Sequence, residues 1–549
     1  MPGPTESARA VASGNTLERF LWHARVRPHA PAVQDESGEL GYAALLSAVR
    51  ERAGRLAADG ARRGSRVAVE SGYGTGYIVA LLATWLLEAV AVPLDPSSPA
   101  DRRRHQVRAA RCDVAAAGPG SDGVVERAVA EVTAETAAAT GDARKAGGVG
   151  NTGDAERAVA VEDAGNTRDT EEARSTKDGQ DPAAYILFTS GSTGVPKGVE
   201  VEHPALVNML EHFVRALDLG PGHRLLAHSN IVFDMSVPEM LMPLISGGTV
   251  AVAPPRSARN PEFFAGWLRA HPVDAAWATP SQLRLLLPFL RGERVFGTLI
   301  SGGEALTAAL ADDLRDVTGT LWNAYGPTEI TVVGLAGEVV PPHRDPMPIG
   351  RPLTGLRAHV LDEWLRPVPD GEVGELFLSG IGVARGYVGD PELTARAFVT
   401  GPGGERMYRT GDLVRVGPDG RHSFHGRRDD QVKIRGHRVE LGEIEAVAHQ
   451  APSVSQAVAV VSDVPHDRPD LYLAVATEPG SGVGEAELRA PLRRLLPPYM
   501  QPRRVLFFDE LPRNTAGKTD RLVVRRMVDE RLSADRDTRP PTPVEGRAT

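Results

Sequence analysis

Cysteine is nearly absent: Cys112 is the single one in 549 residues. No disulfide framework can be built from it, and a reducing cytoplasm fits. The N-terminus lacks the basic-then-apolar pattern of a secretory signal. Also missing is an apolar run long enough to span a bilayer, which argues against a membrane protein. The nearest candidate, Tyr77 to Leu94, is interrupted by Glu88 and Pro93, and reads as a buried helix (Tyr77–Leu87) leading into a strand (Val90–Leu94). Basic charge is not in excess either. The formal net charge is −9, which gives no support to a nucleic-acid partner.

What is present is a long chain with an ordinary apolar content of 42%, enough for about three or four compact units. Residues 1–15 read as a flexible tail. From 16 to 428, strand-like runs (Arg66–Val69, Val90–Leu94, Ala184–Phe188, Arg224–Ala227, Thr249–Ala253, Thr298–Ser301) alternate with helical periodicity at 43–58, 204–217, 262–271 and 281–290. This alternation predicts an α/β fold: a large N-terminal unit of several subdomains, with sheets flanked by helices. Past Asp429 the pattern changes to helix (441–449), strands (457–463, 471–477), helix (485–496) and strand (504–508). Residues 429–530 therefore form a small α+β C-terminal domain. Residues 115–181 are rich in Ala, Gly, Thr, Asp and Glu, and repeat Glu-Arg-Ala-Val-Ala at 126–130 and 156–160. They read as a disordered insertion, too poor in large apolar side chains to offset the entropy of ordering. The tail 531–549 reads likewise.

The most informative stretch is Thr189-Ser-Gly-Ser-Thr-Gly-Val-Pro-Lys-Gly198, after an apolar strand. Glycines, hydroxyls and one lysine can wrap phosphate oxygens, yet the spacing is not that of the P-loop. Further motifs follow in order: Asn323-Ala-Tyr-Gly-Pro-Thr-Glu329, Gly374-Glu-Leu376 with Val383-Ala-Arg-Gly-Tyr387, Tyr408-Arg-Thr-Gly-Asp-Leu413, Gly426-Arg-Arg-Asp429, Gln431-Val-Lys-Ile-Arg-Gly436, Arg438 to Glu445 and Gly517-Lys518. Taken singly, Glu329 and Asp412 are ordinary loop acids and Lys518 a surface lysine. The ordered set, over roughly residues 17–527, resembles the adenylate-forming superfamily. Phe233-Asp-Met-Ser236 narrows the resemblance to amino-acid adenylation domains of nonribosomal peptide synthetases.

The resemblance implies ATP and Mg²⁺ as co-reactants, and roles for named residues. Thr189, Ser190, Gly191, Ser192, Thr193 and Lys197 would hold the β- and γ-phosphates. Gly303 joins the ATP-binding set. Glu329 would hold Mg²⁺ through a hard oxygen, and Thr328 would touch the α-phosphate. Tyr325 would stack on adenine while Asn323 reads its amino edge. Asp412, acceptor-only when ionised, suits the ribose hydroxyls, and Arg427 assists there. Lys518 would bridge the substrate carboxylate and the α-phosphate. Ala516 stands where the family usually has Asn or Ser. Asp429 would be the hinge on which the mobile small domain rotates between half-reactions.

The implied pocket comprises Asp234, Met235, Pro238, Trp277, Ile300, Gly302, Ala324, Val332 and Val333. Asp234 would pair with a substrate ammonium, and beyond it the wall carries no charge. That implies an apolar amino acid: valine-like, proline or a β-amino acid. Only 31 residues follow Lys518, so a free-standing enzyme that loads a separate phosphopantetheinylated carrier protein in natural-product biosynthesis is expected. The alternatives are an acyl- or aryl-CoA ligase of the same superfamily, and a catalytically silent nucleotide- or amino-acid-binding module. Between Arg489 and Arg526, ten basic residues face three acids, which suggests a docking face for an acidic carrier.

Overall fold

The computed structural model describes residues 15–118, 121–140, 182–191, 195–290, 292–429, 431–451, 453–464, 469–477, 484–513 and 519–537. The chain forms two compact units, Met1–Thr189 with Lys197–Asp429 and Ser190–Pro196 with Asp430–Thr549. The division follows Asp429, one residue beyond the expected boundary.

The large unit is built on two sheets. In the fourteen-stranded sheet, Thr249–Val252, Arg224–Ala227, Val273–Ala278, Phe296–Gly302 and Thr318–Tyr325 lie side by side and parallel. Antiparallel strands extend it through Leu335–Glu338 and Pro348–Pro352 to His422–Arg427, Arg406–Val416, Val373–Gly380 and Leu356–Leu361. The stretch from 335 to 427 therefore departs from strand–helix alternation; Pro391–Ala397 is its only α-helix among the described residues. The second sheet has six strands in the order Gly386–Tyr387, Lys197–Glu202, Ala183–Thr189, Val90–Leu94, Arg66–Glu70 and Val114–Ala117. Val90–Leu94 is buried at every position, as befits an inner parallel strand. The apolar helix Thr75–Leu86 packs into one core with Ala91 of that strand, while Val90, Val92 and Leu94 face another. None of the described helices is long and apolar enough to cross a membrane.

The expected disordered insertion begins with ordered structure. Val114–Ala117 pairs in parallel with Arg66–Glu70, and Val124–Thr140 is a helix. Val125, Ala128, Val129 and Val132 form its buried stripe, set against Ala68, Val90, Val107 and Ile186. The spacing i, i+3, i+4, i+7 is that of an amphipathic helix. Its small side chains and the nearby repeat disguised it as low complexity. Residues 141–181, which hold the second copy of the repeat, lie outside the described residues, as do 1–14 of the expected N-terminal tail.

The small unit has the hairpin Gln431–Ile434/His437–Glu440 and a three-stranded sheet. In that sheet Asp470–Thr477 is antiparallel to Val454–Ser462 and parallel to Arg504–Phe508. Alternate side chains serve two cores. Ala457, Ala459, Leu471, Leu473 and Val475 meet Leu441, Ile444, Leu488 and Leu492 on one face. Val458, Val460, Tyr472 and Ala474 meet Val524, Val528 and Leu532 on the other. Those last three belong to the helix Arg521–Asp537. The tail expected from 531 is helical as far as Asp537, Leu532 extending the buried i, i+4 stripe; residues from 538 lie outside the described set.

Candidate active site

Two neighbouring parallel strands, Phe296–Gly302 and Thr318–Tyr325, end in glycine-bearing turns. Ligands of open α/β sheets gather at such carboxyl ends. Gly303 adopts φ +83°, a left-handed conformation natural to glycine. After Tyr325 the chain turns sharply. A Cβ on Gly326 would lie 2.4 Å from the Val332 carbonyl oxygen and 2.7 Å from Val333 Cα. The turn leads into the short 3₁₀ segment Thr328–Ile330. Thr331 and Val332 then take φ +59° and +69°, and the Val333 N–H donates to the Thr331 carbonyl at 2.8 Å. A β-branched residue in this region is strained by about 1–3 kcal/mol. Two bonds hold the turn to the 382–384 strip: Ala384 N–H to the Glu329 carbonyl (2.9 Å) and Thr331 Oγ1 to the Gly382 carbonyl (2.8 Å).

Glu329 has no exposed surface (0%). Its Oε1 accepts the Tyr387 hydroxyl at 2.7 Å and lies 3.6 Å from Lys197 Nζ. The Lys197 ammonium also donates to the Tyr387 hydroxyl oxygen at 3.2 Å, over that ring at 4.8 Å. Sheet pairing makes this meeting possible: Tyr387 is opposite Val199, and Lys197 is opposite Thr189. No group of three or more His, Cys, Asp or Glu side chains among the described residues could hold a metal. A lone carboxylate still fits Mg²⁺, which is commonly held by one or two carboxylates with substrate phosphates and water. Glu329 is the buried carboxylate here that could supply such a hard oxygen.

A second constellation surrounds Asp412, itself buried. The Tyr325 hydroxyl donates to its Oδ2 and Arg427 Nη1 to its Oδ1. Arg427 also grips Asp429 with two bonds, of 2.6 and 2.8 Å. Burial and the Asp412 charge push the Tyr325 phenol well above its usual range, so its hydroxyl remains a donor. Each Asp412 oxygen keeps a further lone pair for a ligand hydroxyl. Asn323 donates from Nδ2 to the Pro348 carbonyl at 2.8 Å, which leaves its Oδ1 as the group able to accept from an amino group.

Beside Glu329, Thr328 reaches the pocket residues: its hydroxyl donates to Asp234 Oδ2 at 2.6 Å. Met235, Gly302 and Ala324 are direct neighbours: a Cβ on Gly302 would lie 3.7 Å from Met235 Cε and 3.8 Å from Ala324 Cβ. Trp277, Ile300, Ala324, Val332 and Val333 belong to one apolar core, with Met235 packed against it. Trp277 meets the Phe213 ring edge-on at 4.9 Å, and its indole N–H finds no hydrogen-bond partner among the described residues. Pro238 is buried in the helix Ser236–Ser246. The next residue, Glu239, is also buried. It accepts the His228 and Ser229 N–H groups, both at 2.9 Å, and the Ser229 hydroxyl at 2.6 Å. This fixes the start of the loop that carries Asp234.

A family model of AMP-binding enzymes matches residues 20–388. The chain belongs to this family. A second model, the AMP-binding enzyme C-terminal domain, matches residues 443–518. The chain is 35% identical over 531 residues to novobiocin biosynthesis protein H of Streptomyces niveus, covering 94% of this chain and 82% of that one. It is 35% identical over 538 residues to a dimodular nonribosomal peptide synthase of Bacillus subtilis, covering 94% of this chain. Among solved structures, holo-AB3403, a four-domain nonribosomal peptide synthetase bound to AMP and glycine, matches at TM-score 0.63 and 29% identity, over 98% of this chain and 37% of that chain. The chain spans 21% of the length of the Bacillus relative.

For this member of the AMP-binding family, the structure brings Thr328, Glu329 and Lys197 close to one another, and Tyr325, Asp412 and Arg427 likewise. Ser190 and Gly191 group with the small unit. Ser192, Thr193 and Lys518 lie outside the described residues. Sequence reasoning assigned no role to Tyr387 or Glu239. Tyr387 ends the motif Val383-Ala-Arg-Gly-Tyr387; Glu239 gives no signal beyond an acid in an apolar helix. The basic window at 489–526 is also less charged than its count. Arg489 pairs with Glu485 (2.6 Å), Arg503 with Asp470 (3.0 Å), Arg504 with Asp535 (2.6 Å) and Arg521 with Glu445 (2.5 Å). All four acids fall outside the window.

Proposed function

We propose that this chain joins the carboxylate of an apolar amino acid to the α-phosphate of ATP. It then passes the aminoacyl group to the phosphopantetheine thiol of a separate carrier protein, in the cytoplasm. The observation that carries this reading is the Asp234–Thr328 hydrogen bond. It sets a carboxylate suited to an ammonium one hydroxyl away from the Thr328–Glu329 turn. Aryl and fatty acids bring no ammonium, and a half-buried carboxylate without a counter-charge is costly.

In the first half-reaction a substrate carboxylate oxygen attacks the α-phosphorus. The bond to the bridging oxygen breaks and pyrophosphate leaves. The single Thr328 proton is committed to Asp234 until an ammonium occupies that carboxylate; it is then available to an α-phosphate oxygen. Asn323 Oδ1 accepts from the adenine amino group, Tyr325 packs on the base, and Asp412 accepts from the ribose hydroxyls beside Arg427. Lys518 matches the charge shifting between carboxylate and phosphate. Glu329 would hold Mg²⁺, which would supply neutralisation of phosphate charge. In the second half-reaction the carrier thiol attacks the acyl carbonyl, a thioester forms and AMP leaves. Asp429 serves as the hinge between these states. Apart from Asp234 the wall offers aliphatic and aromatic surface, which suits a valine-like residue, proline or a β-amino acid.

Amino-acid-dependent exchange between pyrophosphate and ATP tests the reading, across a panel from alanine to phenylalanine with proline and β-amino acids. Exchange with apolar members alone is the expected result. Thioester formation on coenzyme A from a desamino acid, without exchange for any amino acid, would instead make the protein an acyl- or aryl-CoA ligase. Binding without either reaction would make it a silent module.

A further inference from the structure

A fully buried carboxylate is not left ionised without a cation nearby. Among the described residues, Lys197 is such a cation at Glu329. Its ammonium is 3.6 Å from Oε1, ion-pair range but beyond a hydrogen bond. The hydrogen bond to that oxygen comes from Tyr387, at 2.7 Å. The ammonium is steadied by the Tyr387 hydroxyl and the face of its ring. Lys197 thus neutralises Glu329 without clamping it, and Tyr387 keeps the carboxylate in place whether or not the ammonium stays. The residue type matters. Lys145, Lys177, Lys197, Lys433 and Lys518 are the only lysines in the chain, which otherwise carries its positive charge as arginine. An ammonium is a compact point charge that can move among oxygens, whereas a guanidinium forks onto a carboxylate and holds it.

We propose that Lys197 is the resident counter-cation of the magnesium carboxylate. Its ammonium holds the place of the metal at Glu329 and leaves it when a divalent cation arrives, becoming free for phosphate oxygens. This rests on the reading of Glu329 as the metal ligand. Lys197 then opposes metal binding in the absence of nucleotide. It favours binding when phosphates are present to receive the ammonium, so metal and nucleotide bind cooperatively through one side chain. Tyr387 is a positioning residue that holds Glu329 through the exchange.

The test is direct binding of Mn²⁺, as a spectroscopic probe for Mg²⁺, to the full chain without nucleotide, followed by electron paramagnetic resonance. Lys197→Gln should bind Mn²⁺ about tenfold or more tightly than wild type, because a competing charge is gone. Lys197→Arg should stay as weak as wild type, and adding Glu329→Gln to Lys197→Gln should abolish the gain. Equal Mn²⁺ affinity in wild type and Lys197→Gln overturns the assignment. A second measurement needs no variant: reductive methylation of wild type, read by mass spectrometry at Lys197, should increase at saturating Mn²⁺. Unchanged labelling there also overturns it. Amino-acid-dependent exchange in the same wild-type preparation separates the two levels. Exchange with no Lys197 effect defeats only this proposal, whereas absence of exchange defeats the functional reading.

Discussion

Gly326→Ala tests whether the turn after Tyr325 is as tightly closed as its geometry indicates. The added Cβ would lie 2.4 Å from the Val332 carbonyl oxygen, 2.7 Å from Val333 Cα and 2.8 Å from Gly334 N. All three are backbone atoms, so no rotamer change can relieve the contact. Ordinary contact begins near 3.4 Å, so the Val332 carbonyl must retreat by about 1 Å, a strain of the overpacking kind. That retreat strains the Gly334 N–H bond to the Tyr325 carbonyl, now 2.8 Å. Overpacking costs about 1–3 kcal/mol, and the strained hydrogen bond about 1 kcal/mol more. Against this, alanine restricts the unfolded chain, a gain of about 0.4–1 kcal/mol. The net expectation is a loss of about 1–3 kcal/mol in the large unit, read by urea unfolding with tryptophan fluorescence. Because Val332 and Val333 move, the exchange panel should also change its amino-acid preference. Gly266→Ala is the control: it lies inside the helix Pro261–Ala270 with nothing within 4 Å of the new Cβ, and should stabilise slightly. A loss under about 0.5 kcal/mol in Gly326→Ala, with an unchanged panel, would refute the reasoning.

Lys518→Ala should lower amino-acid-dependent exchange by about a hundredfold or more while leaving the urea midpoint unchanged; wild-type rates would remove it from the mechanism. Asp234→Ala should erase discrimination between an amino acid and its desamino analogue in competition assays, and retained discrimination would mean that another group pairs with the ammonium. Val129→Asp puts a charge into the packed face of the helix Val124–Thr140 and should cost about 3 kcal/mol; a neutral effect on urea unfolding would show that the helix is dispensable. His23 and His437 are each lowered to about 4, chiefly by burial. The unfolded chain takes up their protons first, so stability is full above pH 6.5 and falls towards pH 4, by up to about 3 kcal/mol for each. The urea midpoint should drop over that window, and His23→Gln should flatten the large unit's share of the drop.

Periodicity sufficed where burial is simple. Val90–Leu94 and Arg224–Ala227 have the bounds read from the sequence, and the helix read at 43–58 is Tyr42–Ala58. These elements bury one continuous apolar face or both faces, so pattern and packing agree. Reading failed where small or polar residues do the packing. The helix Val124–Thr140 fills its core contact with valine and alanine, too little bulk to stand out from its repeats. The strand Arg406–Val416 escaped notice because its buried positions include Thr410 and Asp412. Asp412 is there to accept from Tyr325 and Arg427. Sequence rules break locally where a site needs a polar group inside.

Motif spacing names the residues of a site without saying which of them touch. Glu329 and Lys197 each stood out as members of ordered motifs. Their proximity depends on Gly386–Tyr387 pairing with Lys197–Glu202, a contact between strands nearly two hundred residues apart. Nothing in either motif encodes that register. It follows from the neighbouring bonds that tie Glu329 to Ala384 and Thr331 to Gly382, which bring the whole 382–387 strip alongside the turn. Once the register is set, a buried carboxylate, an ammonium and a phenol must share one small volume, and their charges require each other. The same holds for Arg427, an arginine in a motif until the fold sets it between Asp412 and Asp429. There it links the residue suited to the ribose with the residue at which the large unit ends. Arg427 thus joins two carboxylates that no motif spacing pairs.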